Sequence, residues 1–182
     1  MATYFALSLF TLAIFFDLRA YRIPNMLCAT FLTLGIVLNG IENGIAGALW
    51  ATAAACLMLI LLFPLYSLKM LGAGDVKLMM AVGAIIGITL SLWSLAWGIA
   101  IGGLLTVLFA AYKAGWSSVK KTVYRYFMCF CMRRYVKPDA DEFGAIRVPY
   151  APALALGFLI TCYHEPALHQ PFLSLLTQVG IH

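Results

Sequence analysis

Charge is what this chain has least of. Lys, Arg, Asp and Glu together make up 10% of its 182 residues, against 64% hydrophobic residues, which is too little polar surface to coat a water-soluble globule. The composition excludes a soluble enzyme and points to a membrane protein. Cysteine is sparse and without order: Cys28, Cys56, Cys129, Cys131 and Cys162 are odd in number and never spaced as CxxC. Neither a metal site nor a disulfide framework is expected, no cofactor is called for, and the thiols read as packing residues. No basic segment precedes the first apolar stretch, "YFALSLFTLAIFF", and the first basic residue is Arg19. A cleavable secretory signal requires such a segment, so the N-terminus is expected to be a retained span that enters with its start outside. The net charge of +5 would suit nucleic acid, but basic residues beside apolar spans record membrane orientation and anionic lipid. Membrane lipids are expected partners; nucleic acid is not.

What is present is a succession of apolar segments, over 4–16, 26–41, 45–66, 76–90, 93–112 and 148–163. The expectation is an all-α, polytopic bundle of six transmembrane helices forming one domain over 1–182. The stretch from 78 to 112 is too long for one span and divides near "GITLSLWS", where Thr89, Ser91 and Ser94 dilute the apolar character. With the N-terminus outside, the cytoplasmic connections hold Arg19 and Arg22, then Lys69 and Lys77, then Lys113, Lys120, Lys121, Arg125, Arg133, Arg134, Lys137 and Arg147, which is every basic residue in the chain. Lys and Arg concentrate on the cytoplasmic side of short loops, so both termini are expected outside the cytoplasm, with the chain in a bacterial inner membrane. The polar segment 113–147 places Trp116, Val119, Val123, Tyr126, Phe127 and Phe130 on one helical face and Lys121 and Arg125 opposite. This predicts a helix lying in the cytoplasmic interface, with a soluble hairpin as the alternative. Gly83, Gly87, Gly98, Gly102 and Gly103 are expected to permit close approach of helices.

Ionisable groups at membrane depth are costly and are functional candidates by default. Two of the acids stand at span ends beside unusual backbone chemistry. Asp17 closes the first apolar segment in "FFDLRAYRIPN", and Asp75 opens the fourth in "GAGDVKLMM". The threading puts both on the cytoplasmic side at similar depth. Two neighbouring carboxylates cannot both ionise easily, so they share a proton, one acting as base toward water and the other as acid toward a peptide carbonyl. Asp75 at a helix start would be stabilised as an anion by the dipole, which rests the shared proton more on Asp17. Gly72 and Gly74 supply freedom for positive φ and room for a substrate strand. Pro24 turns the chain behind Asp17 into a fresh helix. Plainer roles exist for each residue: Asp75 as a helix cap, Asp17 as a partner of Arg19 or Arg22, Lys77 as a simple cytoplasmic charge, Asn25 as a cap or a loop brace. The cluster Asp139, Asp141 and Glu142 receives a basic peptide or is a solvated loop.

"GAGDVKLMMAVGA" resembles the GxGD signature of intramembrane aspartic proteases, and together with "DLRAYRIPN" it resembles the type IV prepilin leader peptidases; "RVPYAPALALG" is similar to the proline-containing motif that opens their last span. The resemblance implies that Asp17 and Asp75 are the catalytic aspartates, with Gly72, Gly74, Lys77, Pro24 and Asn25 supporting the loop and the substrate's approach. It further implies an aspartic endopeptidase that cuts the basic leader from a prepilin at the cytoplasmic boundary. Larger members carry an inserted region with paired CxxC motifs and also methylate the new N-terminus. That region is missing here, and the small size most resembles the peptidases of Flp-type, tight-adherence pilus systems. Tyr150-Ala151 stands where relatives often have Phe-Gly, a departure that bears on substrate preference. Two other function classes are a proton or cation transporter, which predicts broken helices and internal repeats, and a non-catalytic scaffold of pilus assembly.

Overall fold

The first helix, α1 (Ala2–Ala20), buries Thr3, Ala6, Leu9, Phe10, Ala13 and Asp17. These recur at steps of three and four, as one face of an α-helix must. Its other faces expose Leu12, Phe15 and Leu18, a pattern that suits lipid rather than water. A computed structural model describes residues 2–20, 23–68, 71–132 and 150–164, and every regular element among them is helical.

The second helical element, α2 (Asn25–Ser67), runs 43 residues but is broken at Gly44, where φ is 67° and ψ −159°. That combination is open to glycine and closed to nearly every other residue. A straight helix would hold Gly35 and Ala54 roughly 29 Å apart. Both instead meet the same short stretch of α3 (Ala73–Ile86): a methyl added at Gly35 would touch Ile85, and one added at Gly83 would touch Ala54 and Met58. Thus α2 is a hairpin folded at Gly44 around α3, and Leu32, Ile36, Ala51, Ala55 and Met80 close over Ala84 between its arms. Asn39 fastens the fold by donating its side-chain amide to the Ala84 carbonyl at 3.0 Å.

Gly87, with φ 82°, ends α3, its N–H bonding to the Gly83 carbonyl at 2.9 Å. The break falls at the edge of the expected dividing region, and α4 (Ile88–Met132) continues unbroken for 45 residues. The segment from 113 to 132 is therefore helical, as expected, but it is an extension of α4; of the apolar face expected there Phe127 is exposed, and the other five side chains lie outside the described ones. Residues 133–149, with the Asp139, Asp141 and Glu142 cluster, also lie outside the described residues. The last helix, α5 (Ala151–His164), packs antiparallel to α4. Gly157 meets the Gly98 backbone, Gly98 meets Leu154, and Gly102 meets the Tyr150 ring, each closer than an added methyl would allow. Gly83, Gly98 and Gly102 therefore serve close packing as expected. Gly87 and Gly103 do not: nothing lies within 4 Å of a methyl added at either.

The all-helical architecture matches expectation, while helix length does not carry the count of six spans. Among the described residues, Ala2–Ala20, Asn25–Ser67 and Ile88–Thr106 are long and apolar enough to cross a membrane. At 14 residues each, α3 and α5 extend about 21 Å, less than a hydrocarbon core of roughly 30 Å. The chain is a helical membrane protein.

Replacing Gly44 by Ala should cost about 1–3 kcal/mol of backbone strain and lower the midpoint of thermal unfolding in detergent. Gly103→Ala, at a helical position with open space, should leave that midpoint unchanged or slightly raised.

Candidate active site

Five helix ends gather at one end of the bundle. Asn25 at the start of α2 accepts a hydrogen bond from the Lys77 ammonium in the first turns of α3 at 2.9 Å. Farther along, Gly35 meets Ala84 and Ile85, so the first arm of α2 runs parallel to α3. The second arm returns, bringing Ser67 back beside the start of α3. Along α1, Phe10 stacks on Phe158 of α5 with ring centroids 5.2 Å apart, and Asp17 reaches Ala151 at the start of α5. The end of α1, both ends of α2 and the starts of α3 and α5 therefore share one level, and the turns at Gly44 and Gly87 share the other. Arg19 and Lys77 stand at the first level with Asp17 and Asp75; Glu42 stands at the second.

Asp17 is the last member of the buried stripe of α1, and Asp75 opens the buried face of α3 with Leu78, Met79 and Val82. They are 7% and 9% exposed. The two carboxylates are near enough that the charge of Asp17 acts on Asp75. Asp75 stands in the first turn of α3, ahead of the apolar run that starts at Val76. Burial, and after it the Asp17 charge, push its carboxyl up to about 7 from an ordinary 3.8, against the opposing hydrogen bond from Gly72.

The supporting residues do what the sequence suggested only in part. Gly72 has a φ of −76°, and among the described residues the glycines with positive φ are Gly44 and Gly87, so the expectation of positive φ at Gly72 and Gly74 is corrected. Their smallness is needed for contact. A methyl on Gly72 would sit 3.0 Å from the Asp75 carboxylate, which instead accepts the Gly72 N–H at 3.2 Å. A methyl on Gly74 would sit 3.2 Å from Ile23, the residue ahead of Pro24. Pro24 is the N-cap of α2, in extended conformation with φ −60° and ψ 132°, and this presents Ile23 to Gly74. Asn25 thus braces α2 against α3 through Lys77. Arg19, offered above as a partner for Asp17, lies over the Phe15 ring at 5.9 Å.

One contact at the site was missed by sequence reasoning. The Ala151 N–H donates to Asp17 Oδ2 at 3.0 Å in a buried hydrogen bond. Every residue but proline carries an N–H, so no residue type flags this donor; the signal available was Pro152, which marks a helix start and hence free amides beside it. Asp17 as well as Asp75 therefore meets a helix N-terminus, and the dipole argument that rested the shared proton on Asp17 no longer separates the two. The two backbone donors lie at similar distance, Ala151 at 3.0 Å from Asp17 and Gly72 at 3.2 Å from Asp75. No group of three or more possible metal ligands occurs among the described residues.

These features define a helical membrane protein in which Asp17 and Asp75 are both buried at one end of the bundle. A model of the type IV leader peptidase family matches residues 4–112, more than half of the chain, and the chain belongs to that family; it is a peptidase. No curated protein and no solved structure matches the chain. The family match takes in Asp17, Gly72, Gly74, Asp75 and Lys77 and ends before α5.

A carboxyl that binds its proton more tightly when folded stabilises the protein below the unfolded value near 4, and that stability is lost as pH rises through about 7. Asp75→Asn does not titrate, and its amide oxygen can still accept the Gly72 N–H. Its unfolding midpoint in detergent should exceed that of the unaltered protein at pH 8, and the gap should close as pH falls toward 4.

Proposed function

We propose that this protein is an intramembrane aspartic endopeptidase that removes the basic leader from Flp-like prepilins at the cytoplasmic boundary of a bacterial inner membrane. On this reading all six apolar segments cross the bilayer as one domain, with both termini outside. The observation that carries the reading is the buried, electrostatically coupled pair Asp17 and Asp75 at the level of Arg19 and Lys77, in a chain of this family. Basic residues favour the cytoplasmic side, so the pair faces the compartment where a basic leader would lie.

The chemistry follows from the environments of the two acids. Asp17, ionised and hydrogen-bonded to Ala151, takes a proton from a water molecule as the oxygen attacks the peptide carbonyl carbon. Asp75 gives its proton to the carbonyl oxygen, producing a neutral tetrahedral intermediate. Collapse of that intermediate breaks the C–N bond as the proton held by Asp17 passes to the leaving nitrogen and Asp75 takes back a proton from one of the two hydroxyls, leaving a carboxylic acid. No enzyme adduct forms, and the pair ends with one proton as it began. Water must reach the pair, and the inner boundary of the membrane supplies it. Gly72, exposed beside Asp75, leaves the approach open to an extended peptide, and the bond from Lys77 to Asn25 holds the loop in place.

Purified protein mixed with a full-length Flp-type prepilin in detergent should yield a mature pilin whose N-terminus, read by mass spectrometry, begins at the leader junction. Asp17→Asn and Asp75→Asn should each slow that cleavage about 100- to 10,000-fold while the protein remains inserted. Undiminished processing by either variant, or ion flux in liposomes with no peptide product, would reject the reading.

A further inference from the structure

We propose that the backbone N–H of Ala151 is a positioning group for hydrolysis: it holds Asp17 ionised and in one orientation, so that Asp17 is the base and Asp75 the acid. This inference rests on the peptidase reading above and adds α5 to the machinery of the site.

Asp17 lies in the last turn of α1, where unpaired carbonyls make a negative charge unwelcome. Something outside α1 must offset this if Asp17 is to be the ionised member. The start of α5 does so with a buried hydrogen bond of 3.0 Å from Ala151 to Oδ2, of the charge-assisted kind that is roughly twice as strong as a neutral one. The first turn of α5 is arranged to offer that amide alone. Pro152 has no N–H, and the N–H groups of Ala153 and Leu154 both bond to the Tyr150 carbonyl, at 3.1 and 3.2 Å. The orphan donor of this helix start, together with the positive end of the α5 dipole, is thereby directed at Asp17.

Contacts away from Asp17 fix where the amide sits. Tyr150 packs against Gly102, and Gly157 lies on the Gly98 backbone, so α5 is seated on α4 at its start and at its middle. Among the described residues, no ion pair to Asp17 is formed by the charged groups on the elements packed around it. From α3 comes Asp75, while Lys77 is engaged with Asn25. From α2 comes Cys28, which senses Lys77 and Asp75. The first turn of α5 holds no acid, and on α1 Arg19 is over Phe15.

The test removes one hydrogen atom's worth of donor. Incorporation of lactic acid at position 151 by codon suppression replaces the Tyr150–Ala151 amide with an ester and keeps the methyl side chain; suppression of the same codon with alanine restores the amide. With a prepilin substrate, the ester enzyme should show the acid limb of its kcat–pH profile moved up by about one unit, because an unsupported Asp17 protonates more readily. At neutral pH kcat should fall about tenfold, with KM within about twofold. Ala151→Pro also lacks the N–H, at a helix position that favours proline, and should shift the limb the same way; if it does not fold, the ester decides. An acid limb that stays in place in the ester enzyme overturns the inference, including the case where only the unfolding midpoint drops. Failure of the unaltered protein to cut any prepilin, or full activity of Asp17→Asn, would instead overturn the peptidase reading itself.

Discussion

The structure turns on the desolvation of two carboxylates. A membrane protein with so few charges has little reason to bury two acids within reach of each other's field, since each loses hydration and gains a like-charged neighbour. The fold tolerates them because each meets a helix N-terminus. Asp75 accepts the N–H of Gly72 ahead of its own helix, and Asp17 accepts the N–H of Ala151 from a helix far along the chain. Each donor offsets part of the cost of burying its acceptor, and between them the two acids tie α1 to α5 and the loop before α3 to its own helix.

Glycine contacts set the distances that this arrangement needs. Between helices in lipid there is little hydrophobic drive, and association relies on close packing and on polar contacts. The backbone approach of α4 and α5 at Gly98 and Gly157 and of α2 and α3 at Gly35 and Gly83 supplies that packing on both flanks of the site. At the site itself, Gly74 against Ile23 lets the loop before α3 seat on the segment behind α1, and Gly72 leaves space for a carboxylate oxygen. A bulkier residue at Gly74 would press on Ile23, and one at Gly72 would crowd the Asp75 carboxylate.

Much of this was legible in the sequence because charge was scarce. Asp17 and Asp75 stood out among few acids, and the distribution of basic residues predicted one shared side for them. The hairpin was also visible, as two apolar segments around Asn43-Gly44, and the break after α3 coincided with Gly87. Other features were not legible, for identifiable reasons. Gly72 and Gly74 were assigned to backbone freedom because composition cannot reveal that the obstacle is a specific neighbour, Asp75 in one case and Ile23 in the other. The segment after 112 was read as separate from the fifth span because its polarity changes there, yet helical hydrogen bonding is indifferent to polarity and α4 runs through. The amide of Ala151 has no side-chain signature.

The assignment of the proton shows how a local rule fails when a tertiary contact supplies the same effect. From sequence, Asp75 alone sat at a helix start, and the dipole favoured its anion. In the fold, α5 brings a second helix start to Asp17, and the two dipoles oppose each other. What remains unequal in the geometry is the donor: the bond to Asp17 comes from Ala151 at 3.0 Å, and that to Asp75 from Gly72 at 3.2 Å. An asymmetric pair is also what hydrolysis at a single peptide bond demands, because one acid must be ready to accept a proton at the moment the other is ready to give one. The helix that supplies the amide to Asp17 lies outside the matched family segment and carries neither aspartate, so on the proposed reading the roles of the two acids would depend on the whole bundle.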